Sequence, residues 1–330
     1  MIFHIAYDGL MTIKRNYNLE VVVVTRNSVR HIGACVESIV AAGALPIIVD
    51  NGSTDDTLEI VRSLCRQARI IATGENLGYG RAMNLGFKET SSEFVILSNP
   101  DVVFLGDSIH RMVEFLRKNP EIGITGPQQM FPDRSWQRSY GELPGIWPGI
   151  KDALGITTLQ SGIRRFLWPR RVDKKPKKVP YVDGGILLVR RQAFESVGGF
   201  DEQFFFYGDE SDLCARLWNA KWSVVFCPWA QVVHARGADS IQVDSSDRFV
   251  RHMVNSQSKL ARKYLAPDRA RLYMRLQTVH FERLALTYSI LKPFLGGASA
   301  SRAKEKIRVF RTYSKVLREY LQTGSVALPN

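Results

Sequence analysis

Over most of its length the chain alternates short apolar runs with longer amphipathic segments. The runs are rich in β-branched residues without polar alternation, which is typical of parallel strands covered on both faces. The predicted strands are 20–25, 47–49, 69–72, 94–97, 181–189 and 222–226. The predicted helices are 28–43, 54–67, 107–118, 191–197 and 209–220. This alternation predicts an α/β fold in which a mostly parallel, Rossmann-like sheet lies between two layers of helices.

Three segments depart from that pattern. Residues 1–18 form a predicted N-terminal extension. Residues 131–180 are rich in Trp, Pro, Gly and Arg without clear periodicity, which predicts a long mobile connection or lid. From Phe249 onward the pattern indicates basic amphipathic helices. We therefore predict an α/β domain over 19–245, with halves at 19–127 and 128–245, followed by a basic helical region over 246–330.

The positive charge of the chain is concentrated near its C-terminus. The formal net charge is +13, and residues 251–330 hold 16 Lys and Arg against 4 Asp and Glu. A basic region of this kind favours an anionic partner, either nucleic acid or an anionic membrane surface. The alternatives are a solvated helical hairpin and a contact within a homodimer.

The sequence also disfavours several classes of protein. The four cysteines are scattered without a CxxC pair, which argues against a zinc site or disulfide framework and fits a reducing compartment. The chain has neither a signal-peptide pattern at its start nor an apolar run of about 18 residues, so we expect a cytoplasmic protein. No GxGxxG follows the first strand and no P-loop is present, which disfavours NAD and ATPase chemistry.

One polar turn follows a buried strand and forms the most informative motif. The predicted strand 94–97 leads into Ser98, Asn99, Pro100 and Asp101, and Pro100 cannot continue a central strand. Asp101 then lies at the carboxyl end of a sheet strand, where open α/β sheets bind ligands. The oxygens of Asn99 and Asp101 suit Mg²⁺ or Mn²⁺ that also holds a diphosphate. The alternative is an ordinary turn, because all of these residues favour turns.

Two further loops carry residue types that suit a nucleotide. Asp50 ends a buried strand and could accept from the imide N–H of a pyrimidine, while the amides that follow reach a ribose. The glycine-interrupted loop 76–86 would let the backbone approach a nucleotide, with Arg81 near phosphate. The alternatives are an Asx-turn with helix capping at Asp50 and close helix–strand packing in the second loop. The candidate nucleotide-binding residues are Thr25, Asn27, Asp50, Asn51, Ser53, Asn76, Gly78, Arg81, Asn99 and Asp101.

A second group of carboxylates opens a predicted helix after a glycine and several aromatic residues. Asp209 and Glu210 lie where the positive end of the helix would hold them ionised. A carboxylate beside an apolar wall is suited to remove a proton from a hydroxyl group. The alternative is a plain acidic first turn. His234 follows an apolar strand and becomes a metal-ligand candidate only if it lies near Asp101.

Taken in order, these motifs resemble one known family. The sequence is similar to the inverting family 2 glycosyltransferases, and within them to the bacterial rhamnosyltransferase branch that builds cell-surface polysaccharide such as cell wall and O-antigen. The resemblance covers about residues 20–240. It rests on the segments 23–27, 49–57, 76–86, 99–101, 198–214 and 234–240.

The resemblance implies a GT-A fold, with nucleotide-sugar binding in residues 19–127 and acceptor binding in 128–245. Thr25 and Asp50 would then hold the nucleoside. Asp101 would be the last acid of the metal motif and His234 a second ligand for Mg²⁺ or Mn²⁺, although Asn99 replaces the first acid. Glu210 would be the catalytic base, with Asp209 as its rival.

The resemblance further implies transfer of a sugar, L-rhamnose for this branch, from dTDP-rhamnose or a UDP-sugar. The acceptor would be a hydroxyl of a polyprenyl-diphosphate-linked or polysaccharide glycan at the inner face of the plasma membrane. One alternative is a transferase of the same fold that uses another UDP-sugar, such as galactose or N-acetylglucosamine. A second is a basic module that binds nucleic acid or membrane without catalysis, and nucleic acid is disfavoured because no nucleic-acid motif is present.

Overall fold

The computed structural model describes residues 19–167, 175–205, 207–235 and 247–328. The predicted extension over 1–18, part of the predicted lid and most of the 234–240 motif lie outside the described residues. All other statements about the fold concern the described ranges.

A nine-stranded mixed sheet forms the centre of the α/β domain. Its strands follow one another in the order β3-β2-β1-β4-β10-β6-β11-β5, and β8 pairs with β11 outside this path. Pairs among β1 to β4 are parallel, whereas β10 is antiparallel to β4 and β6. A small second sheet pairs β7 with β9. The strands are β1 (Glu20–Thr25), β2 (Leu45–Asp50), β3 (Arg69–Ala72), β4 (Phe94–Ser98), β5 (Val102–Phe104), β6 (Ile122–Met130), β7 (Tyr140–Gly141), β8 (Lys177–Lys178), β9 (Tyr181–Val182), β10 (Ile186–Arg190) and β11 (Ser223–His234).

Helices cover both faces of this sheet, as the continuous apolar runs predict. Successive residues of β1 enter two different cores: Val21 and Val23 pack in one cluster and Val22 and Val24 in the other. Both faces of the strand are therefore buried, which explains the lack of polar alternation. The helices of the α/β domain are α1 (Ile32–Ala41), α2 (Thr57–Leu64), α3 (Tyr79–Lys88), α4 (Ser108–Lys118), α5 (Ile146–Ala153), α6 (Ile156–Leu167), α7 (Arg191–Ser196) and α8 (Asp209–Asn219).

Three segments differ from their sequence-based prediction. Most of the predicted loop 76–86 is helix, because α3 begins at Tyr79 and tolerates glycines that pack closely on the sheet. The predicted strand 181–189 is wrong as one element, since Asp183, Gly184 and Gly185 separate β9 from β10. Residues 131–180 contain the helices α5 and α6. Pro148, in the first turn of α5, interrupts the helical pattern of the sequence there.

The predicted basic helices form a separate layer after the sheet. They are α9 (Asp247–Tyr264), α10 (Pro267–Leu291), a 3₁₀ turn (Lys292–Phe294) and α11 (Gly297–Thr323). A cluster of buried apolar residues joins α9, α10 and α11. Within the described ranges, no helix is long and apolar enough to cross a membrane.

Close packing of α3 on the sheet gives a testable consequence at Gly86. A Cβ at Gly86 would clash with Val22 and lie 2.7 Å from Val49 Cγ2. Because β-branched side chains are stiff, we expect Gly86→Ala to lower the free energy of unfolding by about 1–3 kcal/mol. Denaturant unfolding measures this change.

Gly33→Ala is the matched control, because Gly33 also lies in a helix but its added Cβ would meet atoms no closer than 3.6 Å. The control should be neutral or stabilising by about 0.5–1 kcal/mol. Equal unfolding curves for the two variants would contradict this account of the α3 packing.

Candidate active site

The candidate site lies along the edge of the sheet where the parallel strands end. Thr25 of β1 pairs with Asp50 of β2, and Asn51 N donates to Thr25 O over 2.8 Å. In the middle of the sheet, Asn99 N donates to Gly185 O over 2.9 Å. The turn after β4 and the turn before the antiparallel strand β10 therefore meet. This is the edge at which open α/β sheets place their ligands.

Hydrogen bonds within the loop already occupy the carboxylate of Asp50. Its two oxygens accept from Ser53 N over 3.1 Å and from the Ser53 hydroxyl. Ser53 Oγ also accepts from Asn27 N over 2.9 Å, and Asn27 Oδ1 accepts from Thr54 N over 2.8 Å. The Asp50 carboxylate is thus bonded to the residue three positions on, within its own loop. Thr25 Oγ1 is different, since it is buried without a hydrogen-bond partner among the described residues.

Asn51 connects this loop to the start of α3. Its Nδ2 donates to Gly78 O over 3.1 Å, and its Oδ1 accepts from Leu77 N over 3.3 Å. Gly78 has a φ of +83° and lies so close to Phe205 O that a Cβ would approach it to 2.7 Å. The close-packing alternative therefore applies to Gly78.

The other predicted residues of this loop lie at the surface. Asn76 is exposed, and its Oδ1 accepts from Gly78 N over 3.1 Å. Arg81 is 60% exposed and its Nε lies 3.8 Å from Glu202 Oε2. An ion pair this exposed is weak, so the Arg81 guanidinium remains available to an anionic ligand.

Asp101 and His234 lie side by side, as the metal-site prediction requires. His234 is opposite Val102 in the β5–β11 pair, so the residue before Val102 falls beside the imidazole. His234 Nε2 is 3.2 Å from Asp101 Oδ1. Burial alone would raise the pKa of the Asp101 carboxyl. The hydrogen bond and charge of His234, with the charge of His31, instead hold that pKa below its usual value.

A hydrogen-bond chain fixes the orientation of His234. Gln129 Nε2 donates to Asp183 Oδ1 over 3.2 Å, so Gln129 Oε1 points away from Asp183 and lies 2.6 Å from His234 Nδ1. Because Oε1 can only accept, Nδ1 must carry a proton. The other ring nitrogen, Nε2, is thereby directed at the Asp101 carboxylate.

This arrangement fits a positive charge beside Asp101 and His234. His234 Nε2 and Asp101 Oδ1 are 3.2 Å apart, so a single cation can contact both atoms. Among the described residues, no three His, Cys, Asp or Glu side chains are grouped so that they could hold a metal ion. A cation held by Asp101 and His234 would need its other ligands from a bound diphosphate and water.

The two candidate base residues open α8, after Gly208 with a φ of +84°. Asp209 is buried, and its Oδ1 accepts from Glu210 N over 3.2 Å. Glu210 packs against Gly184, where a Cβ would lie 3.2 Å from the Glu210 Cβ. Burial raises the pKa of Asp209. Burial, together with the negative charges of Asp209 and Asp183, holds the pKa of Glu210 well above its usual range. The prediction that the helix end favours the ionised form of both carboxyls is therefore wrong, because burial outweighs the helix dipole.

Tyr79 joins these parts into one site. Its hydroxyl donates to Gly184 O over 2.9 Å. Burial raises the pKa of Tyr79 well above its usual value, and the negative charges of four nearby carboxylates raise it further. These carboxylates belong to Asp101, Asp183, Asp209 and Glu210. The structure thus brings Asp101 and Glu210 together, and Asn51 ties the Asp50 loop to the residue before Tyr79.

Sequence reasoning missed three residues of this site: Tyr79, Gln129 and Asp183. Tyr79 lies inside a segment that was predicted to be loop, and Gln129 and Asp183 belong to no recognisable motif. The available signal was the Asp-Gly-Gly sequence at 183–185, which interrupts an apolar run.

The fold and the clustered acids define a glycosyltransferase of the nucleotide-sugar type, and comparison with known families agrees. The sequence model of glycosyl transferase family 2 matches residues 20–198. A second model, described as the N-terminal domain of galactosyltransferase, matches residues 172–236. The chain belongs to glycosyl transferase family 2. The prediction of an inverting glycosyltransferase with a GT-A fold is therefore confirmed.

Two relatives and one solved structure illustrate this membership. The N-acetylglucosaminyl-diphospho-decaprenol L-rhamnosyltransferase of Mycobacterium tuberculosis is 32% identical over 261 residues, covering 74% of this chain and 85% of that protein. The dTDP-rhamnosyl transferase RfbF of Shigella flexneri is 24% identical, covering 69% and 72%. The mannosyltransferase PcManGT of Pyrobaculum calidifontis, solved with GDP-Man and Mn²⁺, shares the fold with a TM-score of 0.54 and 17% identity, covering 92% and 85%.

The helical region beyond the family models contacts the helix that carries Glu210. Asp212 in α8 is completely buried, and Lys263 Nζ of α9 lies 2.7 Å from its Oδ1. The Tyr264 hydroxyl donates to the same oxygen over 2.6 Å, while Arg216 Nε donates to Oδ2 over 2.7 Å. A buried carboxylate needs such partners. Helix α9 therefore braces α8 two residues after Glu210.

This brace predicts the effect of removing Lys263. We expect Lys263→Met to lower the free energy of unfolding by about 1.5–3 kcal/mol, because a charged hydrogen bond to a buried carboxylate is lost. Turnover should fall more than the apparent affinity for the donor, since α8 carries Glu210. Thermal unfolding and steady-state kinetics measure the two effects.

Lys304→Met is the matched control, because Lys304 is an exposed residue of α11, and it should change neither quantity. Equal stability of the two variants would refute the brace.

Proposed function

We propose that this enzyme transfers L-rhamnose from dTDP-rhamnose to a hydroxyl of a lipid-linked glycan in cell-surface polysaccharide synthesis, in the cytoplasm. The observation that carries the reaction type is that adjacent residues of one turn contact both halves of the site: Gly184 packs against Glu210, and Gly185 packs against His234, the neighbour of Asp101. The choice of sugar is supported by two relatives whose names specify rhamnosyl transfer, one to a diphospho-decaprenol acceptor.

In this proposal the 19–127 half binds the nucleotide. The buried hydroxyl of Thr25 is available to the nucleoside, because it has no other partner in the described part of the chain. Asp50 approaches the base with Asn51 and Ser53 beside it, and a ligand would compete with the present Ser53 hydrogen bonds. Asn27, Asn76 and Gly78 shape the surrounding loops, and Arg81 attracts the diphosphate. The 128–245 half binds the acceptor.

Asp101 and His234 would hold Mg²⁺ or Mn²⁺, and Asn99 would contribute from the same turn. When bound, the cation neutralises charge that develops on the leaving diphosphate. The Gln129 amide keeps the Nε2 atom of His234 directed at Asp101, so the two ligands stay together when the donor leaves.

Glu210 would act as the base. It removes the proton of the acceptor hydroxyl as the oxygen attacks the anomeric carbon in line, and the bond from that carbon to the nucleoside diphosphate breaks. A single displacement of this kind inverts the configuration at that carbon. The raised pKa of Glu210 makes the carboxylate a stronger base than an exposed glutamate. In this assignment Asp209 is not the base, and its negative charge helps to raise the pKa of Glu210.

A second donor is favoured by one specific observation. The match of residues 172–236 to a galactosyltransferase model favours UDP-galactose as the alternative substrate.

The donor assignment is tested by calorimetry with dTDP-rhamnose, UDP-galactose and UDP-N-acetylglucosamine, each with and without Mn²⁺. We expect dTDP-rhamnose to bind most tightly and only in the presence of the cation. Asp101→Ala should weaken donor binding at least tenfold and remove its cation dependence. Tighter binding of a UDP-sugar would overturn the choice of donor, and unchanged donor affinity in the variant would overturn the metal role.

The base assignment is tested by Glu210→Gln. We expect turnover to fall by about 10²–10⁴ while donor affinity is retained, because only proton removal is lost. In the parent enzyme kcat/KM should fall as the pH drops through the raised pKa of Glu210, above the usual glutamate range. Asp209→Asn is the matched comparison. If that variant is inactive while Glu210→Gln turns over normally, Asp209 is the base.

A further inference from the structure

Exposed apolar side chains are concentrated on one set of neighbouring helices. Of the 17 large apolar residues that are exposed in the described ranges, 12 lie within 147–163 and 272–295. These two stretches cover α5, α6, α10 from Leu272 onward and the 3₁₀ turn, together with Leu154 and Leu295, which directly follow α5 and the turn. The most exposed are Phe294 (83%), Trp147 (73%), Leu154 (69%) and Leu159 (64%). Concentrations of this kind mark interaction sites, whereas single exposed apolar residues do not.

These helices are packed on one another rather than scattered. A Cβ at Gly149 of α5 would lie 3.1 Å from Leu276 of α10, which shows how closely the two helices approach. Arg283 Nε of α10 donates to Ala153 O at the end of α5 over 3.1 Å. The 3₁₀ turn continues α10 directly. We call α5, α6, α10 from Leu272 onward and the 3₁₀ turn, together with Leu154 and Leu295, the apolar face.

The spacing of the exposed residues gives each helix an amphipathic surface. Trp147 and Leu154 are seven residues apart on α5, and Leu159 and Ile163 are four apart on α6. On α10, Leu272, Val279 and Leu286 recur every seven residues. Residues at these intervals project from one side of a helix. Each helix therefore presents an apolar stripe to the outside.

The charges around these stripes are positive. Residues 146–167 and 271–295 contain seven Lys and Arg and two acids, Asp152 and Glu282. Both acids are engaged within the protein: Asp152 Oδ2 accepts from Gln277 Nε2 over 3.3 Å, and Glu282 Oε1 pairs with Arg318 over 2.6 Å. Lys151 and Lys292 thus place exposed positive charge beside the apolar residues.

We propose that the apolar face binds the surface of an anionic lipid bilayer, with Trp147, Leu159 and Phe294 inserted at the level of the headgroups. Apolar side chains flanked by Lys and Arg are the pattern by which helices lie in a membrane interface. A second copy of the chain is the less favourable occupant. In a two-fold dimer through this face, two surfaces from a region with 16 basic and 4 acidic residues would repel each other.

The position of the face relative to the site supports this partner. Helix α5 begins five residues after β7, and β7 pairs with β9. The turn that follows β9 contains Gly184, which packs against Glu210. The start of α5 is therefore linked, through β7 and β9, to the turn that contacts Glu210. Binding of the bilayer itself does not depend on the proposed sugar or acceptor.

The test is co-sedimentation of the full chain with vesicles of phosphatidylcholine, with and without phosphatidylglycerol. We expect binding only to the anionic vesicles and a loss of binding as salt increases. The double variant Leu159→Ser/Phe294→Ser should bind roughly tenfold more weakly or worse, because its side chains lose apolar burial. Its melting temperature and donor affinity should stay unchanged, since both residues are exposed.

Val40→Ser/Leu64→Ser is the matched control, because these residues are exposed on α1 and α2 outside the apolar face. It should bind like the parent protein. Absence of binding to anionic vesicles at low salt would overturn the proposal, as would equal binding by the two double variants. Light scattering that shows a dimer broken by Leu159→Ser/Phe294→Ser, without vesicle binding, would assign the face to a second copy. Since vesicle binding is read without substrate, failure here is distinct from failure of the proposed transfer reaction.

Discussion

The close approach of side chains to Gly184 and Gly185 is the constraint on which the site depends. A Cβ at Gly185 would lie 2.5 Å from His234 Cε1, and one at Gly184 would lie 3.2 Å from the Glu210 Cβ. The same two residues offer their carbonyls to Asn99 N and to the Tyr79 hydroxyl. The turn between β9 and β10 therefore contacts the candidate cation ligand His234, the candidate base Glu210 and, through the Tyr79 hydroxyl, helix α3.

The electrostatics of the site follow from this crowding. Four carboxylates lie near Tyr79, and burial alone disfavours the charged form of three of them, Asp101, Asp209 and Glu210. The pKa of Asp101 is nevertheless lowered, because His234 lies beside it. The pKa of Glu210 is raised, because its neighbours are acidic. Two carboxyls of similar chemistry thus acquire opposite properties from their surroundings. A low pKa suits a permanently charged ligand, and a high pKa suits a base.

The C-terminal helices make structural contacts with the family 2 domain. Lys263 and Tyr264 satisfy the buried carboxylate of Asp212, and Lys263 Nζ also pairs with Asp201 Oδ2 over 2.6 Å. The helix that carries Glu210 is consequently held from a segment outside both family models. The same layer contacts α5 through Arg283 and so connects the apolar face to the domain. The basic residues of this layer therefore fall into two groups. Some, such as Lys263, stabilise the fold, and others, such as Lys292, are exposed at the surface.

The sequence by itself determined the sheet strands near the nucleotide loops, the family, and the candidate residues Asp50, Asp101, Glu210 and His234. Strands buried on both faces leave continuous apolar runs, and the polar residues that end them are visible without a structure. Only the tertiary structure decided which of these groups face one another. Gln129 meets His234, Asp183 meets Gln129, and Tyr79 meets Gly184 across 54 to 105 residues of chain. No local pattern encodes such contacts, because strand order and the antiparallel insertion of β10 set them. The same is true of Asp212, whose partners in α9 lie about fifty residues away and become its neighbours only when the helical layer packs against α8.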